Sequence, residues 1–358
     1  MKDMKRIVAL AECSSLAWLG LLAGLNLLFF MSFLVIALLA AGKAQAQTPA
    51  CTGIDLATEM QKNDPAAFAK ITAEAAKVPN GKGLSWKLEK AGQQPSFLFG
   101  TMHMTDPRVI TLPPTAQKAF DGANTLVIET TGVLDKKAMM ASLASDPELT
   151  MFTGKTTLPS LLSPKDAALV DKALEARGIP PASVARMKPW MLAAMLAVPE
   201  CELARKSRGE PVLDISLAQQ ARAAGKTIEG VETVADQLRA MASLPLSFHV
   251  KGLVQTLELG DRVNDLNETM IALYRQGEIG MIWPFLRAAV PEEPGDGDGY
   301  AAFEETMVTS RNKAMAEHAL PILGQGNVFM AVGALHLPGA EGLVEDFRKA
   351  GYTVTMAD

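Results

Sequence analysis

Two heptapeptides near opposite ends of the chain decide the expected fold: FLFGTMH at residues 97–103 and MAVGALH at residues 330–336. Each consists of three apolar residues, a glycine, two further residues and a histidine. A short apolar run that ends at glycine predicts a buried strand followed by a sharp turn, which glycine permits because it has no Cβ. Each Gly-x-x-His motif precedes a Pro-containing loop, a predicted helix and a closing strand. The sequence therefore predicts one strand–turn–helix–strand unit used twice.

The spacing of apolar residues around these motifs predicts an α/β (or α+β) fold. A mixed central sheet is built from the two related units, and a large helical region separates them. Strands are predicted at residues 84–89, 96–99, 125–130, 227–231, 328–332 and 352–356. Helices are predicted at residues 65–77, 114–121, 164–176, 188–206, 214–224, 234–243, 248–276, 279–289, 300–323 and 343–350.

Residues 1–46 have the pattern of an export signal. Lys2, Lys5 and Arg6 precede a nearly uncharged apolar run, and Ala44-Gln45-Ala46 matches a cleavage site. The apolar run is longer than in an ordinary signal peptide and could span a bilayer, so the segment is either a signal peptide or an uncleaved N-terminal anchor. Both alternatives place the rest of the protein outside the cytoplasm, in the periplasm or anchored to the inner membrane. Membrane contact is then expected through this segment alone.

The remaining residues, 47–358, are predicted to form a single domain. It comprises the first Gly-x-x-His unit (84–131), the mostly helical middle (132–325) and the second unit (326–358). Beyond the leader two cysteines remain, Cys51 and Cys201. In an oxidising compartment they are expected to form a disulfide, and the alternative is a pair of buried thiols. The net charge of −5 and the lack of a Lys/Arg stripe argue against nucleic-acid binding.

The two motif histidines define the candidate site. In open α/β sheets, ligands bind in the crevice outside the carboxyl ends of the strands, where His103 and His336 would face each other if their strands are adjacent. Glu129 ends the closing strand of the first unit at the same edge. Two histidines and a carboxylate form a recognised divalent-metal set, which can activate water and polarise a carbonyl. The alternative is that both histidines are hydrogen-bonded core residues.

Together with these motifs, further short segments resemble the TraB/GumN family, which includes the animal Tiki proteins. They are VIE at 127–129, VLD at 212–214, GVET at 230–233 with Gln237, and RN at 311–312. The resemblance covers roughly residues 84–357. It implies a core like that of erythromycin esterase-like and ChaN-like proteins. It also implies divalent-metal hydrolysis, because Tiki proteins are metal-dependent proteases whose Gly-x-x-His histidines and a glutamate are central to activity.

Carried over to this chain, the resemblance makes His103, His336 and Glu129 the ligands of a divalent ion such as Mn, Co or Zn. Glu129 could instead be a general base or a member of a salt bridge. Four further residues are candidates for the catalytic site, each with a structural alternative. They are Arg311 (oxyanion stabiliser, or partner of Glu129 or Glu232), Asn312 (orienting group, or helix surface), Asp214 (site carboxylate, or the residue that caps or starts a helix) and Glu232 (site carboxylate, or partner of Arg311).

Two functions follow as hypotheses. The first is an exported metal-dependent hydrolase, a peptidase acting on a peptide or protein. The second is a non-catalytic envelope protein that binds a peptide or saccharide, or serves the polysaccharide machinery, in the same crevice; bacterial GumN-like relatives are often labelled polysaccharide-biosynthesis proteins. A catalyst needs an acid or base beyond the metal ligands, so the positions of Asp214 and Glu232 discriminate between them.

Overall fold

A computed structural model describes residues 51–290 and 299–357, which lie within one compact unit, Ala50–Asp358. The predicted leader, residues 1–46, lies outside the described residues. Within the described ranges, no helix is both long enough and apolar enough to cross a membrane.

The centre of the fold is a six-stranded mixed sheet with the order β4-β3-β5-β2-β1-β6. Strands β2, β5, β3 and β4 run parallel to one another, and β1 is antiparallel to both β2 and β6. The strands are β1 (Ser85–Glu89), β2 (Ser96–Thr101), β3 (Thr125–Ile128), β4 (Thr227–Gly230), β5 (Val328–Gly333) and β6 (Thr353–Met356). All six lie within two residues of their predicted bounds.

Helices make up most of the remaining described chain. Before β4 they are α1 (Leu56–Asn63), α2 (Pro65–Ala75), α3 (Pro107–Ile110), α4 (Pro114–Gly122), α5 (Lys136–Ser145), α6 (Pro164–Ala176), α7 (Pro181–Val184), α8 (Pro189–Leu196), α9 (Glu200–Ser207) and α10 (Leu213–Ala223). After β4 they are α11 (Val234–Ser243), α12 (Leu246–Leu259), α13 (Arg262–Arg275), α14 (Ile282–Ala289), α15 (Gly299–Glu304), α16 (Ser310–Leu323) and α17 (Leu343–Lys349).

Two predicted helices are each interrupted. The segment 188–206 divides into α8 and α9 because Pro199, in extended conformation, lacks the N–H that would continue the first helix. The segment 248–276 divides at Gly260, whose φ of +52° lies in the region that glycine adopts most easily. Helices α6, α7, α8 and α12 enclose a separate small apolar core that includes Leu174, Leu192 and Leu253.

The main core lies around the parallel strands. Phe99 on β2 stacks against Phe329 on β5, with ring centroids 5.9 Å apart, and Phe120 of α4 meets Phe329 edge-on. Leu126 and Met330 are also fully buried. Strands β2, β3 and β5 are thus covered on both faces, as is usual for parallel strands. This packing holds the strands in place and so positions the residues that follow them.

The two Gly-x-x-His strands are adjacent, which is the condition for their histidines to share a crevice. β2 and β5 pair in parallel, with Gly100 opposite Val332 and Thr101 opposite Gly333. Their closing strands take different positions, however. β3 lies on the far side of β5, whereas β6 lies at the opposite edge of the sheet beside β1. The similarity of the two units is therefore local, and Met356, the counterpart of the Glu129 region, is remote from the crevice.

The motif glycines serve a different purpose from the one predicted. Neither Gly100 nor Gly333 has a positive φ; Gly333 has φ −49° and ψ 133°. They are required by close approach instead. A Cβ on Gly100 would lie 2.9 Å from Ala334 Cα, and a Cβ on Gly333 would lie 3.1 Å from a carboxylate oxygen of Glu129. The expectation of a special backbone conformation was wrong, and the space around the turns explains the glycines.

The expected disulfide between Cys51 and Cys201 is present. It joins the segment before α1 to the first turn of α9, across 150 positions of sequence. Disulfides of this kind persist in oxidising compartments and are rare in reducing ones.

Candidate functional site

The carboxyl ends of four neighbouring parallel strands form the candidate site. In the sheet order β4-β3-β5-β2, they lead to Glu232, Glu129, His336 and His103 respectively. The strands are parallel, so their carboxyl ends lie along one edge and these four side chains line one crevice. Three of them are buried, whereas 60% of the His103 side-chain surface is exposed.

His103 is oriented by Asp214, which lies in the first turn of α10. The His103 Nδ1 atom is 2.8 Å from Asp214 Oδ2, and Thr101 Oγ1 donates to Asp214 Oδ1 at 2.6 Å. The surrounding protein partly desolvates the ring and so lowers the pKa of His103, but the charge and hydrogen bond of Asp214, together with Glu129, raise it to about 9. An imidazole whose Nδ1–H is held by a carboxylate presents its Nε2 to the crevice.

His336 is oriented by Asn312 on α16. The His336 Nδ1 atom is 2.6 Å from Asn312 Oδ1, and Asn312 Nδ2 donates to the Glu341 carbonyl at 2.8 Å. Since the amide nitrogen is engaged in that bond, Oδ1 must accept, so Nδ1 of His336 carries the proton. Burial lowers the pKa of His336 to about 4. The ring is therefore neutral at pH 7, with a lone pair on Nε2.

Glu129 lies between the two histidines. Its Oε1 accepts the Gly333 N–H at 2.7 Å, and its Oε2 accepts Gln237 Nε2 at 2.8 Å and an Arg311 amino group at 3.0 Å. Burial raises the pKa of Glu129, but the neighbouring imidazoles, Arg311 and the Gly333 N–H lower it to about 2. Glu129 is therefore a buried carboxylate that stays ionised, as a cation ligand must.

Arg311 pairs with two carboxylates. Its Nε and one amino group donate to Glu232, at 3.0 and 2.7 Å, and the same amino group reaches Glu129. Its other amino group donates to the Met307 carbonyl. A π-helical turn, Glu305–Thr309, precedes α16. Such turns often occur at functional sites. Successive residues on α16 then point in different directions, Arg311 towards the carboxylates and Asn312 towards His336.

The Nε2 atoms of both histidines lie 3.8 Å from the same oxygen, Glu129 Oε1. This is too long for a hydrogen bond. In a tetrahedral site with metal–ligand bonds of about 2.1 Å, two ligand atoms lie about 3.4 Å apart. The Nε2–Oε1 distances of 3.8 Å would therefore suit a shared cation if the histidines and Glu129 moved slightly closer together. Each Nδ1 is anchored, as is usual for metal-binding histidines. These donor types are ones that divalent ions accept, but in residues 51–290 and 299–357 no three His, Cys, Asp or Glu side chains stand as a group that could already hold a metal ion.

Most of the site residues predicted from the sequence lie around Glu129 Oε1. His103, His336, Glu129, Arg311 and Asn312 come together, and Glu232 joins them through Arg311. Asp214 does not cap a helix: α10 begins at Leu213, Val212 occupies the cap position, and the Asp214 side chain turns to His103. The two other histidines do not enter the crevice. His249 is buried on α12, and His318 on α16 is exposed, with its Nδ1 2.7 Å from the Val231 carbonyl.

Gln237 was not among the predicted site residues. Its amide donates to Glu129 at 2.8 Å and to Glu232 at 3.2 Å, so it links the two buried carboxylates. It lies in the second turn of α11, whose start is fixed by a capping box between Thr233 and Asp236. That box is visible in the sequence, but nothing in the sequence shows which way the next turn faces.

Comparison with known proteins places these residues within a recognised family. A sequence model of the TraB/PrgY/gumN family matches residues 84–356, which include every residue of the crevice. No solved structure matches the chain significantly.

The relatives found include several Tiki metalloproteases. The chain is 26% identical to metalloprotease TIKI1 of Danio rerio over 75% of its own length and 62% of the relative's. It is 25% identical to metalloprotease TIKI2 of the same fish, over 73% of its length and 58% of the relative's. It is 24% identical to the metalloprotease TIKI homolog of Nematostella vectensis, over 73% and 64%. The chain thus spans about three fifths of the length of these relatives.

Proposed function

The chain belongs to the TraB/PrgY/gumN family, and on that premise we propose that it is an exported, metal-dependent hydrolase that cleaves peptide bonds. The single observation that carries the proposal is the shared 3.8 Å approach of both Nε2 atoms to Glu129 Oε1. The Tiki relatives, which are metalloproteases by name, support the same reaction class.

His103, His336 and Glu129 would hold the ion. A divalent ion there supplies an activated water and polarises the carbonyl to be attacked. Asp214 and Asn312 hold the two rings by their Nδ1 atoms, so that each Nε2 points into the crevice. These partners fix the orientation of the ligands before the ion arrives, which lowers the entropic cost of binding it.

Arg311 supplies fixed positive charge beside Glu129. Its hydrogen bonds to Glu129 and Glu232 keep both carboxylates ionised in a buried place, where an unpaired charge would be costly. Most of the N–H groups of Arg311 already donate to Glu129, Glu232 and the Met307 carbonyl. Stabilisation of an oxyanion by Arg311 therefore remains a prediction. The exposed face of His103 is the side from which a peptide would enter.

Export through residues 1–46 is part of the proposal. The Cys51–Cys201 disulfide supports it, because such bonds form in the periplasm or outside the cell. Whether the leader is a signal peptide or an inner-membrane anchor stays a prediction.

A second function is a non-catalytic envelope protein that binds a peptide or saccharide, or assists polysaccharide assembly. One observation favours it. Of the three site carboxylates, Asp214 is bonded to His103, Glu232 to Arg311, and Glu129 to three donors. Asp214 reaches His103, as expected of a catalyst, but neither Asp214 nor Glu232 is left free to act as an acid or base beyond the ligands. In that case the polar network would shape a binding crevice.

The test compares metal content and peptide cleavage in the purified protein. The wild type is measured with Mn²⁺, Co²⁺ and Zn²⁺ against a mixed peptide library, beside His103→Ala and Glu129→Gln. Glu317→Gln, which makes the same change as Glu129→Gln at an exposed position on α16, is the matched control. We expect near-stoichiometric metal and cleavage in the wild type and control, and loss of both in the two site variants. Metal uptake without cleavage would support the binding protein, and no uptake at micromolar metal would contradict the metal site.

A further inference from the structure

The loop that carries His103 is held from behind by a buried carboxylate. Two residues after His103, the Thr105 N–H donates to Glu202 Oε1 at 2.9 Å, and the Thr105 hydroxyl donates to Glu202 Oε2 at 2.7 Å. Thr105 is fully buried, and only 2% of Glu202 is exposed. The path of the chain after His103 therefore depends on Glu202, which lies on α9 and is 97 positions away in sequence.

Arg205, one turn further along α9, completes this attachment. Its Nε donates to the Thr105 hydroxyl at 3.0 Å, and one amino group lies 3.4 Å from Glu202 and 3.6 Å from Asp106. A buried ion network tolerates little displacement, because a separated charge would lose its partner without gaining water. Helix α9 and the His103 loop are therefore fixed relative to each other.

The disulfide fixes α9 in turn. Cys201 directly precedes Glu202, and its partner Cys51 lies on the segment before α1. That segment is anchored on α13, where the Ile54 N–H donates to Asp265 at 2.9 Å. Arg205 also contacts the Cys51 sulfur, at 3.2 Å. The covalent bond thus connects the carboxylate that holds the loop to a second, independent helix.

The same helix α13 holds the other end of the loop. Arg108, at the start of α3, pairs with Asp106 and makes two hydrogen bonds to Glu268 of α13, at 2.6 and 2.7 Å. The connections form a closed ring from the His103 loop to α9, through the disulfide to α13, and back to the loop. Breaking the disulfide opens that ring at its only covalent crosslink.

We propose that Glu202 is a positioning residue for His103 and that the Cys51–Cys201 bond locks it in place. The inference rests on the proposed metal-dependent function. It adds that a site able to hold the ion is completed only where the disulfide can form. The precursor in a reducing compartment then lacks full activity, and the protein becomes competent after it reaches an oxidising one.

The first test replaces the carboxylate. Glu202→Gln keeps the size of the side chain but replaces one of the two oxygens that accept from the Thr105 N–H and hydroxyl by an N–H₂ group, and it removes the charge that pairs with Arg205. We expect metal affinity and cleavage rate to fall by roughly 10- to 100-fold, as for other residues that act through a ligand. Glu200→Gln is the matched control, because it makes the same change on the same helix at an exposed position. It should match the wild type.

The second test opens the disulfide. The paired substitution Cys51→Ser with Cys201→Ser, and the wild type treated with a phosphine reductant, should both bind metal more weakly while keeping their helical circular-dichroism spectrum. A reductant-treated sample of the double variant should show no further loss. If Glu202→Gln does not fold, these two measurements still test the role of the disulfide.

A readout independent of metal separates this inference from the proposed function. Amide hydrogen exchange over residues 101–110 should accelerate in Glu202→Gln and after reduction, but not in Glu200→Gln. If the wild type binds no divalent ion yet exchange responds in this way, the metal function fails and the loop attachment stands. The positioning role is overturned if Glu202→Gln and the reduced protein both match the wild type. The match must hold for metal affinity and for the rate of amide exchange in residues 101–110.

Discussion

The Gly333 amide donates a 2.7 Å hydrogen bond to Glu129 Oε1, the oxygen to which the Nε2 atoms of His103 and His336 both point. This bond joins the strand that carries His336 to the carboxylate that ends its neighbour. It also places the glycine Cα beside the point where the three donors converge. The second Gly-x-x-His motif therefore contributes its backbone to the site as well as its imidazole.

Gly333→Ala should abolish metal binding without unfolding the protein. The added Cβ would lie 3.1 Å from Glu129 Oε1 and 3.9 Å from His103 Nε2, within the space an ion would need. The backbone there, at φ −49°, accepts alanine. We expect at least a hundredfold loss of metal affinity by calorimetry, because a misplacement of about 1 Å has effects of that order.

Gly122→Ala is the control for that substitution, since a Cβ there meets nothing within 4 Å. It should bind metal like the wild type. Unimpaired metal binding in Gly333→Ala would show that the ion does not lie between Glu129 and the histidines.

Gly100→Ala, in the first motif, should act on stability instead. Its Cβ would lie 2.9 Å from Ala334 Cα and 3.2 Å from Leu337 Cδ2, in the packed turn after β5. Overpacking of this kind costs about 1–3 kcal/mol. Urea unfolding at pH 7 measures it, with Gly122→Ala again as reference. An unchanged unfolding midpoint would mean that the turn has more room than the structure shows.

Arg311→Met should destabilise the protein strongly near neutral pH. The substitution leaves Glu129 and Glu232 buried without their cationic partner, and breaking a buried pair costs about 3–5 kcal/mol. Arg239→Met, which removes an exposed arginine paired with Asp236, should cost less than about 1 kcal/mol. Equal losses in the two variants would contradict the importance of the Arg311 network.

The difference between wild type and Arg311→Met should shrink in acid. The pKa of Glu129 is about 2 in the folded wild type, below its ordinary 4.5. Its ionisation therefore stabilises the fold above pH 4.5, and that stability is lost as pH falls from 4.5 towards 2. Without Arg311 the pKa rises and the contribution is smaller. Unfolding free energies compared at pH 7 and pH 4 give the measurement; a gap that widens in acid would contradict this assignment.

Metal binding should release about one proton near neutral pH. The raised pKa of His103, about 9, means that its Nε2 is protonated in the metal-free protein, whereas His336, with a pKa of about 4, is already neutral. Between pH 6 and 8, the apparent Kd for Mn²⁺ should therefore fall about tenfold per unit rise in pH.

Calorimetry in buffers of different ionisation enthalpy counts the protons. The Asp214→Asn substitution removes the carboxylate that raises the pKa of His103. Both the number of protons released on metal binding and the dependence of the apparent Kd on pH should therefore decrease. A count near zero in the wild type would contradict the assignment of His103 as a ligand that must first lose its proton.

Short-range patterns in the sequence predicted much of the fold. Apolar runs ended by glycine located β2 and β5, and turn residues bounded the other strands. Long helices were harder, because apolar spacing continues through Pro199 and Gly260, where backbone chemistry interrupts the helix. The Gly-x-x-His motifs identified His103 and His336 as candidates, and a carboxylate directly after the buried run 125–128 identified Glu129.

Local hydrophobicity and turn chemistry act over a few positions, so the sequence specifies which residue types follow the strands. How those residues meet depends on the packing of the whole fold. Strand order placed β5 between β3 and β2, which brings Glu129, His336 and His103 to one crevice. The partners of those side chains, Asp214, Asn312 and Gln237, come from helices 24 to 111 positions away. Helix packing against the sheet fixes those directions, and no local pattern of residues encodes which face of a helix will meet which strand end.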